Sequence, residues 1–222
     1  MGKMITLKAS DGHSFGAYRA EPVGKPRAGL VVIQEIFGVN AHVKEVCDGF
    51  AADGYLAVAP AVFDRAERNF DVGYTAETIA RGRAMRGKID WNDMLKDVDA
   101  TVKSIADAGK TAIVGYCMGG TVTWLASTRL KFDAAVGYYG GGIHEFRGET
   151  PKCPTMLHYG EKDAGIPLDT VSQVAALHRY VPVHVYPGAD HGFVCDHRSS
   201  YQAEATKLSR TRTLGFFTAT VG

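Results

Sequence analysis

The stretch that most constrains this chain is Thr111-Ala112-Ile113-Val114-Gly115-Tyr116-Cys117-Met118-Gly119-Gly120. The apolar run 112–114 reads as a buried strand. Gly-x-Cys-x-Gly follows at once, and Thr121 to Ala126 then continue with helical spacing. Strand, tight glycine turn and helix form the setting of a nucleophile elbow, here with cysteine at the nucleophile position. Gly115 and Gly119 leave room for close backbone approach because they lack a Cβ. Such a turn exposes the Cys117 sulfur at the carboxyl edge of a sheet. It sets that sulfur at a helix N-terminus, where partial positive charge favours a thiolate. It also aims the Met118 N–H at the place where an oxyanion would form. The plainer alternative is a buried cysteine in a glycine-rich turn.

The rest of the chain alternates strands and helices around that unit. Ile5, Leu7 and Ala9 alternate with polar residues, Asp11-Gly12 turns the chain, and Phe15, Ala17 and Arg19 continue an edge hairpin. Gly29–Ile33 is a continuous apolar run, as in a strand buried on both faces. A helix is expected over 41–52, closed by Asp53-Gly54, then a strand over 55–59 stopped by Pro60. Residues 61–75 read as a surface loop. Helices follow over 75–86 and 90–106, the second with Asp90 as N-cap. Strands are expected over 134–139, 155–159 and 183–186, and helices over 168–180 and 201–218. The last helix is expected to bury Ala205, Leu208, Leu214 and Phe217. The alternation implies an α/β class: a three-layer α/β/α sandwich, mainly parallel, of about eight strands in a single domain over 1–222.

Composition narrows the function. With 222 residues and 45% hydrophobic content, the chain can bury a substantial core. A net charge of +1 gives no broad attraction to nucleic acid or anionic membrane. No apolar run approaches the roughly 20 residues that span a bilayer, and the first residues lack a signal peptide's apolar stretch. The four cysteines, Cys47, Cys117, Cys153 and Cys195, show neither C-x-x-C nor zinc-finger spacing. Reduced thiols in the cytoplasm are expected, with Cys47 and Cys153 as packing residues and no metal or cofactor.

A cysteine nucleophile needs a base, a group that orients the base, and an oxyanion site. After the 155–159 strand comes Gly160-Glu161-Lys162-Asp163; after the 183–186 strand comes Gly188-Ala189-Asp190-His191-Gly192-Phe193. The chain order Cys117, Asp163, His191 is the nucleophile–acid–histidine order of α/β-hydrolases. Asp190 competes with Asp163, but a side chain adjacent to the histidine generally points elsewhere. Glu35, directly after a fully apolar strand, would lie at the sheet's carboxyl edge, either as a cap or ion-pair partner or in control of the Cys117 proton. His158 and His184 fall inside strands and are assigned packing or surface roles.

The pieces Gln34-Glu35-Ile36-Phe37-Gly38-Val39-Asn40, Gly115-Tyr116-Cys117-Met118-Gly119-Gly120, Val136-Gly137-Tyr138-Tyr139-Gly140, Asp163 and Gly188 to Phe193 together resemble the dienelactone hydrolase (carboxymethylenebutenolidase) family, over about residues 5 to 218. The resemblance implies the α/β-hydrolase fold, Cys117 as nucleophile with His191 and Asp163, and Glu35 holding the resting thiol. It implies the N–H groups of Met118 and Ile36 as oxyanion hole, and a lactone or activated ester as substrate. In that family two arginines hold a substrate carboxylate. Arg81 stands about where the first belongs, with Arg83 and Arg86 as rivals. The second position is filled by Cys195, and Arg198 comes three residues later. The partner expected is thus a small molecule, with the protein a monomer or small homo-oligomer. A second class remains open, a non-catalytic small-molecule binding protein on the same fold.

Overall fold

The computed structural model describes residues 2–222. Its eight strands are β1 (Lys3–Lys8), β2 (Ser14–Ala20), β3 (Gly29–Ile33), β4 (Leu56–Pro60), β5 (Thr111–Tyr116), β6 (Ala134–Tyr138), β7 (Thr155–Gly160) and β8 (Val183–Tyr186). Six α-helices lie between and after them: α1 (Ala41–Ala52), α2 (Ala76–Arg86), α3 (Trp91–Lys103), α4 (Met118–Arg129), α5 (Leu168–Leu177) and α6 (Ala203–Thr220). The sheet order is β1-β2-β4-β3-β5-β6-β7-β8. The chain groups into two compact units that divide within β5, after Ile113.

In the first unit β1 and β2 form the antiparallel hairpin, and β2 runs antiparallel to β4. From β4 to β3 the pairing is parallel. β3 and β4 are buried at every residue, which is why both read as uninterrupted apolar runs. β4 includes Pro60, one residue past the expected stop, paired with Ala17. A proline has no N–H for the ladder, so it is tolerated at this last position and ends the strand there. Asn40 caps α1 by accepting from the Val43 N–H at 3.2 Å, Thr75 caps α2 and Asp90 caps α3. α3 ends at Lys103, short of the expected 106, because residues 106–108 tighten into a 3-10 turn and Gly109 turns away at φ 98°.

Residues 61–75 form a loop exposed at 66–69, 71, 73 and 75, as expected, but its first part and Phe70 are anchored in the interior. Val62–Arg65 form a 3-10 turn, and Val62, Phe63, Asp64 and Phe70 are buried. Asp64 accepts from the Gly16 and Asn69 N–H groups at 2.8 and 2.9 Å. Arg65 grips buried Asp97 with two bonds of 2.8 Å and reaches Asp11 at 3.0 Å. The anchors lie far apart in sequence, so no local periodicity announces them.

The second unit carries β6, β7 and β8 as a parallel set. Register places Tyr138 opposite His158 and His158 opposite His184. Their rings stack at 4.4 and 5.4 Å. The His158 ring bonds Tyr186 Oη at 2.8 Å and Thr213 Oγ1 at 3.2 Å, and Tyr138 Oη bonds Thr213 Oγ1 at 2.6 Å. Burial holds His158 well below the ordinary imidazole range, so it packs as a neutral ring.

This network explains a correction in α6. The buried stripe is Ala205, Ser209, Thr213 and Phe217, whereas Leu208 is 46% exposed and Leu214 only half-buried. The helix turns its hydroxyl face inward to satisfy Tyr138 and His158, which a hydrophobic count cannot foresee. α5 closes at Leu177 rather than at 180, where buried His178 bonds the Arg147 carbonyl at 2.8 Å.

Cys47, Cys153 and Cys195 are buried and form no disulfide, and burial pushes the thiols of Cys47 and Cys153 up. No helix among the described residues is long and apolar enough to cross a membrane.

Candidate active site

In the second unit the chain leaves β5 and enters α4 through a single residue. Of residues 111–128, Cys117 alone is not buried. Its backbone sits at φ 56° and ψ −118°, a left-handed conformation that a non-glycine residue adopts only when its surroundings force it. They do so here. A side chain at Gly115 would collide with the Gly119 carbonyl and one at Gly120 with the Tyr138 carbonyl, so the turn closes tightly against β6. The Cys117 N–H donates to the Tyr138 carbonyl at 3.0 Å, and its carbonyl accepts from Gly120 at 3.0 Å. Met118 opens α4, so its N–H belongs to the first turn, where the helix offers no internal acceptor.

The loops after β7 and β8 bring the other two residues to this point. Asp163 is 4% exposed. Its Oδ1 accepts from the Gly165 N–H at 2.9 Å, and its Oδ2 bonds His191 Nδ1 at 2.6 Å. Asp190 does not compete for the ring: its Oδ1 accepts the backbone N–H of His191 at 2.6 Å. A ring nitrogen of His191 lies within 4.8 Å of the Cys117 sulfur. Burial alone would lower the His191 pKa. Negative charge on the Cys117 sulfur, with the bonds to Asp163 and Cys117, outweighs it and lifts the imidazole to about 10. The arrangement therefore favours the protonated form of the His191 imidazole.

Tyr139 is a member of this cluster to which the sequence reading gave no role. It is fully buried, stands at φ 36°, and its ring centroid lies 4.9 Å from that of His191 and 5.7 Å from that of Phe193. Its available signal was position, just past a strand end in Gly137-Tyr138-Tyr139-Gly140. Arg198 sits in the loop after His191, and its guanidinium packs over Gly192 so closely that a Cβ there would push it aside.

The remaining candidates belong to the first unit. Glu35 leaves β3 and is 2% exposed. Ile36 is the one residue of 28–40 that is not buried. α2 backs onto it, since any side chain at Gly82 would strike the Ile36 carbonyl. Arg81 is exposed, pairs with Glu67 at 3.1 Å and lies 5.3 Å from the Phe70 ring centroid. Its rival Arg86 is committed to local structure, 3.4 Å over the Trp91 ring and bonded to the Ile89 carbonyl at 2.6 Å. Arg83 is exposed.

A sequence model described as the dienelactone hydrolase family matches residues 15–221. The carboxymethylenebutenolidase of Pseudomonas putida is 31% identical over 225 residues, covering 96% of this chain and 94% of that protein. A Synechocystis protein provisionally named carboxymethylenebutenolidase is 36% identical over 211 residues, 86% of each chain. A crystal structure from Klebsiella pneumoniae, provisionally named a dienelactone hydrolase, superimposes with a TM-score of 0.84 at 30% identity, over 97% of this chain and 99% of that one. The family match over nearly the whole chain, the identities and the superposition together show that this chain belongs to the dienelactone hydrolase family, as a hydrolase on the α/β-hydrolase fold.

Proposed function

We propose that this chain opens a lactone or activated ester through a Cys117-His191-Asp163 triad and a thioester intermediate. The observation that carries the reading is the continuous array from Asp163 Oδ2 through the His191 ring to the Cys117 sulfur. The Cys117 thiolate attacks the carbonyl carbon, and the oxyanion is met by the N–H groups of Met118 and Ile36. The intermediate collapses as the C–O bond breaks, and His191 gives its proton to the leaving oxygen. Neutral His191 then takes a proton from water, hydroxide attacks the thioester, and the thiolate leaves with the acid product. Asp163 holds the imidazole so that Nδ1–H faces it throughout. The direct test is mass spectrometry of enzyme quenched during turnover of a chromogenic ester. The acyl mass is expected on the peptide bearing Cys117; an acyl group on any other residue, or turnover that survives complete alkylation of Cys117, overturns the reading.

Glu35 is assigned control of the thiol. A buried carboxylate at a sheet's carboxyl edge disfavours a second negative charge nearby, and so opposes the thiolate until substrate displaces it to a position where it accepts the thiol proton. Glu35→Gln is expected to lower kcat by roughly 10²-fold or more, the scale of a lost proton-transfer group. With the opposing charge gone, iodoacetamide labelling of Cys117 should extend to lower pH and lose its response to a substrate analogue. An unchanged labelling profile together with unchanged turnover makes Glu35 a structural residue.

Arg81 and Arg198 are assigned to an anionic group on the substrate. A carboxylated lactone and its methyl ester distinguish this from packing. Each Arg→Ala variant should lose roughly 10-fold or more in kcat/KM on the carboxylate, as for a charge-assisted hydrogen bond, and little on the methyl ester. Equal losses on both compounds would refute the carboxylate clamp and turn attention to Arg83.

A further inference from the structure

Gln34 is fully buried, yet half of its amide is unused. Its Nε2 donates to the Glu35 carbonyl at 3.1 Å, while its Oε1 has no hydrogen-bond partner among the described residues. The group facing the carbonyl must be the nitrogen, because two oxygens would repel. A buried amide with an unmet acceptor costs stability that an apolar side chain of similar size would not. The one bond it makes therefore calls for a reason.

That bond falls on the peptide unit that carries the Ile36 N–H. In a trans peptide the carbonyl and the N–H point in opposite directions within one plane, so fixing the Glu35 carbonyl fixes the direction of the Ile36 N–H. A hydrogen bond accepted at the carbonyl also polarises the N–H across the unit. The neighbouring peptides are held by other means. The Ile36 carbonyl is backed by Gly82, and the Phe37 carbonyl accepts from Val72 N–H at 3.1 Å. Gly38, at φ 83°, lies against the Phe70 carbonyl so closely that a side chain would collide. Among these fastenings, the Gln34 amide is the side-chain bond at the peptide presenting Ile36 N–H, and Ile36 is where this otherwise buried segment reaches the surface.

We infer that Gln34 is a positioning residue: its side-chain amide aims the Ile36 N–H at the developing oxyanion. This rests on the reading of Ile36 as an oxyanion donor. The test uses Gln34→Met, similar in length without a donor, and Gln34→Glu. Hydrolysis kinetics, affinity for a trifluoromethyl ketone that adds the Cys117 thiolate to give an oxyanion, alkylation rate of Cys117 and unfolding midpoint are measured on each.

For Gln34→Met, kcat is expected to fall about 10- to 100-fold, less than the loss of an entire oxyanion donor. KM should stay within about twofold, ketone affinity should fall in step with kcat/KM, and Cys117 alkylation should be unchanged. Gln34→Glu should be impaired at alkaline pH and recover relative to wild type as pH falls, because a protonated carboxyl again donates to the Glu35 carbonyl. Wild-type kcat in Gln34→Met, or a kcat loss without a matching loss of ketone affinity, overturns the inference. If the Met variant does not fold, absence of the pH-dependent recovery in the Glu variant overturns it instead. The underlying oxyanion reading fails separately, in the wild type alone, if the ketone binds no more tightly than substrate.

Discussion

Replacing Cys117 with alanine should reduce ester or lactone turnover by about 10⁴-fold or more, the scale set by removing a nucleophile from an intact triad. The protein should remain folded. Cys117 is half-buried at the turn, so the lost sulfur leaves no closed core cavity, and alanine suffers no more than cysteine from φ 56°. The bonds that close the elbow, from the Cys117 N–H to the Tyr138 carbonyl and from Gly120 to the Cys117 carbonyl, are backbone bonds and survive. Activity should therefore vanish with an unchanged unfolding midpoint. The His191 imidazole provides a second readout. Without charge on the sulfur its pKa should drop from about 10 toward the ordinary range, since that charge is the largest influence raising it. Histidine resonances followed by NMR across pH 5–10 would show this. A variant with wild-type turnover, or with the His191 titration unmoved, would remove Cys117 from the chemistry.

How much of this was legible in the sequence depends on how local each cause is. The elbow was legible because strand, glycine turn and helix are adjacent in sequence; the glycines expected to make room were Gly115 and Gly119, and the close backbone contacts fall at Gly115 and Gly120. β3, β4 and β5 were legible because burial on both faces leaves unbroken apolar runs. Elements stabilised across long separations were not. Arg65 gives no sign in its neighbourhood that Asp97 will hold it, so residues 61–75 read as exposed loop. Leu208 read as core because leucine usually is, but Thr213 and Ser209 were needed inward, and one helix cannot present both faces to the sheet. Gln34 and Tyr139 carried no sign of their contacts, because a side-chain bond to the Glu35 carbonyl and a ring 4.9 Å from that of His191 are not encoded in spacing.

The two aspartates bonded to His191, one at its ring and one at its backbone, give the second large effect. Asp163→Asn should lower kcat by roughly 10⁴-fold, while Asp190→Asn should lower it by about threefold or less. The difference follows from which atoms are already committed. Asp163 Oδ1 accepts the Gly165 N–H. An asparagine there keeps its carbonyl oxygen on that N–H, which turns its NH₂ toward His191 Nδ1. Two donors cannot share one bond, so Nδ1 must become the acceptor, and the proton moves to the nitrogen that should receive one from the thiol. The variant thus selects the wrong tautomer and also loses a negative charge that supports the imidazolium. Thiolate should then be scarcer at neutral pH, and iodoacetamide labelling of Cys117 between pH 6 and 8 should slow along with turnover. Asp190→Asn has neither consequence. Its Oδ1 accepts the His191 backbone N–H, and an amide carbonyl accepts that bond as well. Labelling and turnover measured on both variants decide the assignment: comparable losses, or the larger loss in Asp190→Asn, would transfer the orienting role away from Asp163.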